Sequence, residues 1–174
     1  VGEAMAIGRN FNEAFQKALR SLETGRSGWD AMPGKHSKAQ LEERLKTPNA
    51  ERVFWLKNAM LAGFSDALIY KLSYIDPWFL AQIEDLIVEE AAVVAGGLAS
   101  LDAVRLRILK RKGFADARLA RLLGVPESVI RDRRIGFGLV LGFLGGYGNG
   151  GEVFAPATGI RCVAIRNTHN FNNI

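Results

Sequence analysis

A chain of 174 residues, 48% of them hydrophobic, has the size of one domain, or of one domain with an appended segment, and enough apolar material for a substantial core. Its one cysteine, Cys162, excludes an internal disulfide framework and a thiolate metal site, and no stretch has signal-peptide grammar or the ~18–20 apolar residues of a membrane span. An excess of 23 Lys/Arg over 18 Asp/Glu, net +5, keeps nucleic acid open as a partner, and a reducing, cytoplasmic location is the default.

The chain opens on Val1 with no methionine, which reads as a cut point inside a longer polypeptide, and VGEAMAIG alternates weakly, as the last strand or entry loop of something upstream would. RNFNEAFQKALRSLETG then carries helix punctuation: Asn10 as cap, Glu13 three residues on to complete a capping box, and Gly25 to end the helix. Phe11, Phe15, Ala18, Leu19 and Leu22 share one face at helical spacing. RSGWDAMPGKH reads as a loop, and Ser37 with Gln40 is a second capping box ahead of Leu41 and Leu45. In TPNAERVFWLKNAMLAG the expected signals are Thr47 as cap, Pro48 at the first helical position and Gly63 as stop. Ser65 caps a short helix, and Asp76 with Pro77 opens a long one that Gly96 and Gly97 halt. Ser100 or Asp102 then starts another, which Gly113 ends. Nothing between residues 9 and 135 reads as a strand.

An internal repeat emerges at a constant offset of 50 residues. GFSDALIYKLSYIDPWFLAQI (63–83) aligns with GFADARLARLLGVPESVIRDR (113–133): Gly63, Phe64, Asp66, Ala67 and Leu72 meet identical residues, and Ile75, Phe79 and Leu80 meet Val125, Val129 and Ile130. Upstream, Phe54 and Leu56 align with Val104 and Leu106. The expected fold is therefore all-α: a multi-helix domain of two repeated three-helix units, with a short N-terminal strand or loop remnant and an irregular Gly-rich C-terminal tail.

The charge is concentrated. Residues 1–99 hold 11 Lys/Arg against 13 Asp/Glu, residues 100–135 hold 10 against 4, and residues 136–174 hold 2 against 1. The basic segment contains a helix-turn-helix pattern, so a nucleic-acid-binding module using residues 100–135 is the alternative reading. Against it, the first copy of the repeat carries Trp78, Phe79 and Leu80 where a recognition helix would present polar groups. Those three are expected in the core, and the arginines of the second copy on a solvated face.

No catalytic, cofactor-binding or metal-binding residue is assigned. GGLASLD and GFLGGYGNGG lack the ending and setting of a phosphate loop. His36 and His169 lie in polar loops as exposed residues. Glu42/Glu43, Glu84/Asp85 and Glu89/Glu90 are adjacent on helices, so the members of each pair point about 100 degrees apart and read as solvated faces, not as acid/base pairs. Ser65, Ser100 and Ser128 are explained by helix starts. Trp55 and Trp78 belong to apolar faces expected in the core, with an oligomer interface as the other place where Trp is enriched.

Four stretches in order, GEAMAIGRNFNEAFQKALRSLE, RVFWLKNAMLAGFS, IDPWFLAQIEDLIVEE and LKRKGFADARLARLLGV, resemble the large, synthetase subunit of carbamoyl phosphate synthase over about residues 1–135. The resemblance implies that residues 1–25 end the first ATP-grasp half and lead into a helix, and that residues 26–135 form the helical oligomerisation or connection domain. It implies a parent ligase that makes carbamoyl phosphate from bicarbonate, glutamine-derived ammonia and two ATP for arginine and pyrimidine biosynthesis, with Mg2+ or Mn2+ and often K+. The implied partners are the flanking ATP-grasp halves, a glutaminase small subunit and other large subunits, with no membrane. The family's ATP- and metal-binding residues fall on no position of this chain, so the segment itself is expected to be a connector without catalysis.

Residues 136–174 depart from the family. A basic and acidic linker with a Val-Asp-Thr-Cys run would follow Arg133 and Arg134, but here nine glycines and one acid stand instead, with neither helical nor alternating periodicity. The expectation is a poorly ordered tail of non-native origin, such as a shifted reading frame. Absence of the linker from all three frames of the gene past Arg134 would sink that idea.

Overall fold

The computed structural model describes residues 3–22 and 24–139, together with one further strand at Arg161–Arg166. Strand β1 (Glu3–Gly8) leads into α1 (Phe11–Ser21), α2 (Lys38–Lys46), α3 (Arg52–Leu61), α4 (Asp66–Ser73) and the long α5 (Pro77–Gly96). A 3-10 turn at Leu98–Ser100 connects to α6 (Ala103–Arg111), α7 (Asp116–Leu123) and α8 (Glu127–Gly136). The body is helical throughout, as its periodicity predicts. Strand β2 (Arg161–Arg166) pairs antiparallel with β1, Glu3 opposite Arg166 and Gly8 opposite Arg161. The rest of the tail, residues 140–160 and 167–174, lies outside the described residues, as does its expected poor order.

Caps decide most of the helix starts. Asn10, Ser65, Asp76 and Asp102 each accept a hydrogen bond from a first-turn N–H, and Ser37 with Gln40 closes a full capping box. Three boundaries differ from expectation. Thr47 is the C-terminal cap of α2, its N–H bonded to the Glu43 carbonyl, and α3 begins only at Arg52, because the Asn49 side chain turns the chain first by accepting from the Glu51 N–H at 3.0 Å. Glu13 accepts from the N–H of Arg9 at 2.9 Å and not from Asn10, so the box at α1 is offset by one residue. Helix α1 ends at Ser21 with Leu22 as cap, and Gly25 takes its left-handed conformation, φ +71°, in the loop beyond. Ser128, near the start of α8, makes no capping bond.

The repeat persists in the hydrogen bonds. Phe64 donates to the Ala59 carbonyl at 3.0 Å and Phe114 to that of Leu109 at 3.1 Å. Gly63 and Gly113, both left-handed, donate to Met60 and Lys110. Leu56, Ala59, Phe64, Ile69 and Leu80 are buried, and so are Leu106, Leu109, Phe114, Leu119 and Ile130, each 50 residues on. At these five positions the two units present the same side-chain sites to one shared core. The turn after the short helix is left-handed in both, and only the residue differs: Gly124 has φ +65° and its counterpart Tyr74 has φ 57°.

Helix α1 locks onto the second unit. Asn10, Gln16 and Arg20 donate to the carbonyls of Arg111, Lys112 and Gly113, satisfying the acceptors that the end of α6 leaves open. Gly113 makes this approach possible, because a Cβ there would stand 2.9 Å from the Glu13 Cα.

Candidate functional site: an ionic core and two exposed apolar faces

The loop between α1 and α2 folds inward at Trp29, which is fully buried and donates its indole N–H to the Val53 carbonyl at 2.7 Å. Two cations then converge on the loop. Lys57 of α3 donates to the Trp29 carbonyl at 2.7 Å and to Glu90 of α5 at 2.5 Å. Arg118 of α7 donates to Glu90 at 2.7 and 2.9 Å, to the Trp29 carbonyl at 3.2 Å and to Asp30, which also accepts from Arg121 at 3.0 Å. Lys57, Glu90 and Arg118 are all buried, so this cluster ties both units to the loop at the centre of the molecule. Burial pushes the Lys57 ammonium below its ordinary value, and the attraction of Glu90 only partly offsets this.

A second ionic seam joins α5 to α6. Lys112 bonds Asp85 at 2.8 Å and Glu89 at 2.6 Å, Arg105 bonds Glu89, and Asn12 donates to Asp85 at 3.1 Å. Burial would raise the Glu89 carboxyl, but Lys112 and Arg105 outweigh it and hold it below its ordinary range; Lys112 is correspondingly raised by the two carboxylates against its own burial. At a third point Asp116 receives Lys110 at 2.7 Å and Arg134 at 3.0 Å, and Arg134 also donates to the Leu139 carbonyl.

These contacts correct two expectations. Asp85, Glu89 and Glu90 are not a solvated face, because α6 and α7 bring cations onto them. Arg118 and Arg134 are buried, not solvated, and Arg133 donates to the Leu101 carbonyl at 2.7 Å. Four of the ten cations of residues 100–135, Arg105, Lys112, Arg118 and Arg121, are paired with acids of residues 1–99, and Lys110 and Arg134 share Asp116, so six of the ten are committed to contacts within the protein. Among the described residues no group of three or more His, Cys, Asp or Glu could hold a metal ion, and no helix is long and apolar enough to cross a membrane.

His36 and Trp78 fall out differently from their sequence reading. His36 is only half exposed, packed edge-on against Trp55 at 4.6 Å, while His169 lies outside the described residues. Trp55 is in the core as expected. Trp78 and Phe79 are not: they are 46% and 43% exposed, and only Leu80 of that run is buried. They stand at the first turn of α5, where the Asp76 cap and Pro77 hold the chain at the edge of the core. There they pack on Phe11 at 5.6 and 5.3 Å in an aromatic cluster beside the exit of β1. A second exposed apolar face lies on the outer sides of α5 and α6, where Val88, Val104 and Ile108 are uncovered. Two uncovered apolar faces on an otherwise well-packed helical domain have the character of contact surfaces.

The comparisons with known proteins agree with this architecture. Residues 3–138 match the family model described as the carbamoyl-phosphate synthetase large chain, oligomerisation domain. The carbamoyl phosphate synthase large chain of Xanthomonas campestris pv. campestris is 51% identical over 138 residues, which are 77% of this chain and 13% of that protein. The large chain of Neisseria meningitidis serogroup B is 52% identical over 134 residues, 77% of this chain and 12% of its own length, and that of Pseudomonas aeruginosa is 48% identical over 137 residues, 77% and 13%. The chain thus spans about an eighth of the length of the curated relatives it matches. With the doubled three-helix unit, the helical body and a match over residues 3–138, this chain belongs to the oligomerisation-domain family of the carbamoyl-phosphate synthetase large chain.

Proposed function

We propose that this chain serves as the helical connector of a cytoplasmic large subunit that makes carbamoyl phosphate from bicarbonate, glutamine-derived ammonia and ATP, supplying arginine and pyrimidine biosynthesis. In that role it spaces two ATP-grasp halves, works alongside a glutaminase small subunit and contributes to self-association of large subunits. The observation that carries the reading is a family match over a domain whose polar core is spent on holding helices together. Its acids are engaged by lysine and arginine, a donor set unsuited to Mg2+ or to ATP phosphates, so nucleotide and metal are assigned to other segments of the large chain and no step of the synthesis is routed through these residues.

Residues 100–135 do not support the nucleic-acid alternative, because α7 and α8 spend Arg118 and Arg134 on internal acids. Sedimentation of the 174-residue chain with a short DNA duplex at two salt concentrations tests this. The expected result is no co-sedimentation at either salt. Binding that falls steeply as salt rises would return residues 100–135 to the role of a phosphate-contacting module.

A further inference from the structure

The two repeats are not covered alike. On α3, positions 54, 57 and 58 lie beneath the loop that follows α1: the Arg26 guanidinium stacks 4.0 Å over the Phe54 ring, Lys57 donates to the Trp29 carbonyl, and Asn58 exchanges hydrogen bonds with the backbone of Met32. Their counterparts on α6 are Val104, Arg107 and Ile108. No described segment covers these: Val104 is 65% exposed, Ile108 40%, and Arg107 is exposed without an ion pair among the described residues. The apolar pair Val104 and Ile108 thus occupies positions that the first unit roofs over and the second leaves open.

The bare face continues onto α5. Glu89 and Asp85 point at α6, since they bond Arg105 and Lys112. At 100° per residue, Val88 and Ala92 flank that ionic seam on its outer side, with Ala95 beyond them, just as Ile108 and Val104 flank it on α6. Val88 is 61% exposed. Two charges border the patch, Glu84 on α5 and Arg111 on α6, both exposed and without an ion pair among the described residues.

We infer that this α5/α6 face is where a second copy of the chain docks, in a two-fold contact that lays α5 of each copy over α6 of the other. The inference rests on the self-association reading above and specifies its surface. Self-complementarity of charge selects the occupant. Lys112 at the end of α6 bonds Asp85 and Glu89 while Arg105, two turns earlier, reaches Glu89, so α6 runs back along α5 and Glu84 and Arg111, each next to a bonded residue, lie at about the same level. A two-fold axis running along the seam therefore carries each Glu84 across to the Arg111 of the other copy, while Val88 meets Ile108 and Ala95 meets Val104. Small residues on α5 let the helices approach closely, and the paired charges fix the direction of the axis.

The test is sedimentation equilibrium of the full 174-residue chain across micromolar concentrations, with circular dichroism to verify the helical content of each variant. The wild type is expected to self-associate, and Val88→Glu combined with Ile108→Glu to raise the dissociation constant at least about tenfold, because two charges from each copy would be buried in the contact. Glu84→Arg and Arg111→Glu are each expected to weaken association, and an equimolar mixture of the two to restore it, since only the mixed dimer pairs opposite charges at both contacts. A wild-type oligomer unchanged by the apolar double variant, or single charge variants that mixing fails to rescue, would overturn this surface and leave the self-association reading standing. A wild type that stays monomeric at every concentration would overturn both.

Discussion

Tyr74 occupies the one left-handed backbone position, among the described residues, that is not a glycine, and its repeat counterpart, Gly124, shows what the turn prefers. The left-handed region brings Cβ toward the following carbonyl, at a cost of about 1–2 kcal/mol for an ordinary residue. Tyr74 recovers little of this, being 81% exposed with only an edge contact to Tyr70. Tyr74→Gly is therefore expected to stabilise the protein by about 0.5–1 kcal/mol, after the glycine's greater freedom in the unfolded chain is set against the relieved strain, read as a higher urea midpoint at unchanged slope. Gly113 is the opposite case. It combines φ +89° with a backbone neighbour on α1 that cannot give way, so Gly113→Ala should cost about 2–4 kcal/mol and loosen α1 from the end of α6, measurable as a lower midpoint and faster amide exchange in α1. At Gly63, the same place in the first unit, an added Cβ would meet nothing within 4 Å, which separates a packing glycine from one needed only for its turn.

At the scale of elements, α5 is the acidic spine to which the rest attaches. Its third and fourth turns carry Asp85, Glu89 and Glu90, and α3, α6 and α7 each bring a cation to them. Glu89 in this seam and Glu13 in α1 are held below the ordinary carboxylate value of 4.5: burial would raise both, but Lys112 and Arg105 act on Glu89, and Lys17 and Arg9 on Glu13, more strongly. A carboxylate depressed in the folded state contributes stability that is complete above the unfolded value and is lost as pH falls through the folded one, because the unfolded chain takes up protons first. The urea midpoint should accordingly hold from neutral pH down to near 4.5 and then fall. Glu89→Gln should start lower and fall less steeply over the acid limb. An acid limb identical in the two proteins would show that the seam adds nothing to acid stability. Raised Lys112 works the other way, its contribution complete below 10.5 and lost at higher pH, while depressed Lys57 opposes it there, so the acid limb is the informative one.

Across the whole molecule, Arg118 is the residue through which the second repeat reaches the first. It meets Glu90, Asp30 and the Trp29 carbonyl, and so binds α7 to α5 and to the buried loop at once. Replacing it with leucine would leave Glu90 with Lys57 alone and Asp30 with the exposed Arg121, and removing one partner of a buried ion pair costs about 3–5 kcal/mol. Arg118→Leu is expected to fall in that range and to lower the unfolding cooperativity between the units, seen as a shallower denaturation curve. A change of less than about 1 kcal/mol would mean that the cluster is fully compensated by its remaining members.

The periodic apolar positions, the caps at Asn10, Ser37, Ser65, Asp76 and Asp102, and the 50-residue repeat were legible in the sequence because each depends on residues close together in the chain. Local hydrogen bonds and helical spacing set them, and they sufficed for an all-helical doubled unit and its family. The strand Arg161–Arg166 was not legible: its central residues are apolar without alternation, and pairing with a strand more than 150 residues away leaves no local mark. Nor was the burial of Arg118, Arg134 and Glu90, since each is matched by a partner on another helix, and a charge run looks the same whether water or an opposite charge completes it. Trp78 and Phe79 satisfied the pattern of a core helix, yet they lie where α5 emerges from the core, and only the packing of α1 against α5 determined that. Local physics chose the elements; which charges are buried, and which apolar faces stay bare for another surface, depended on where the tertiary fold brought distant residues together.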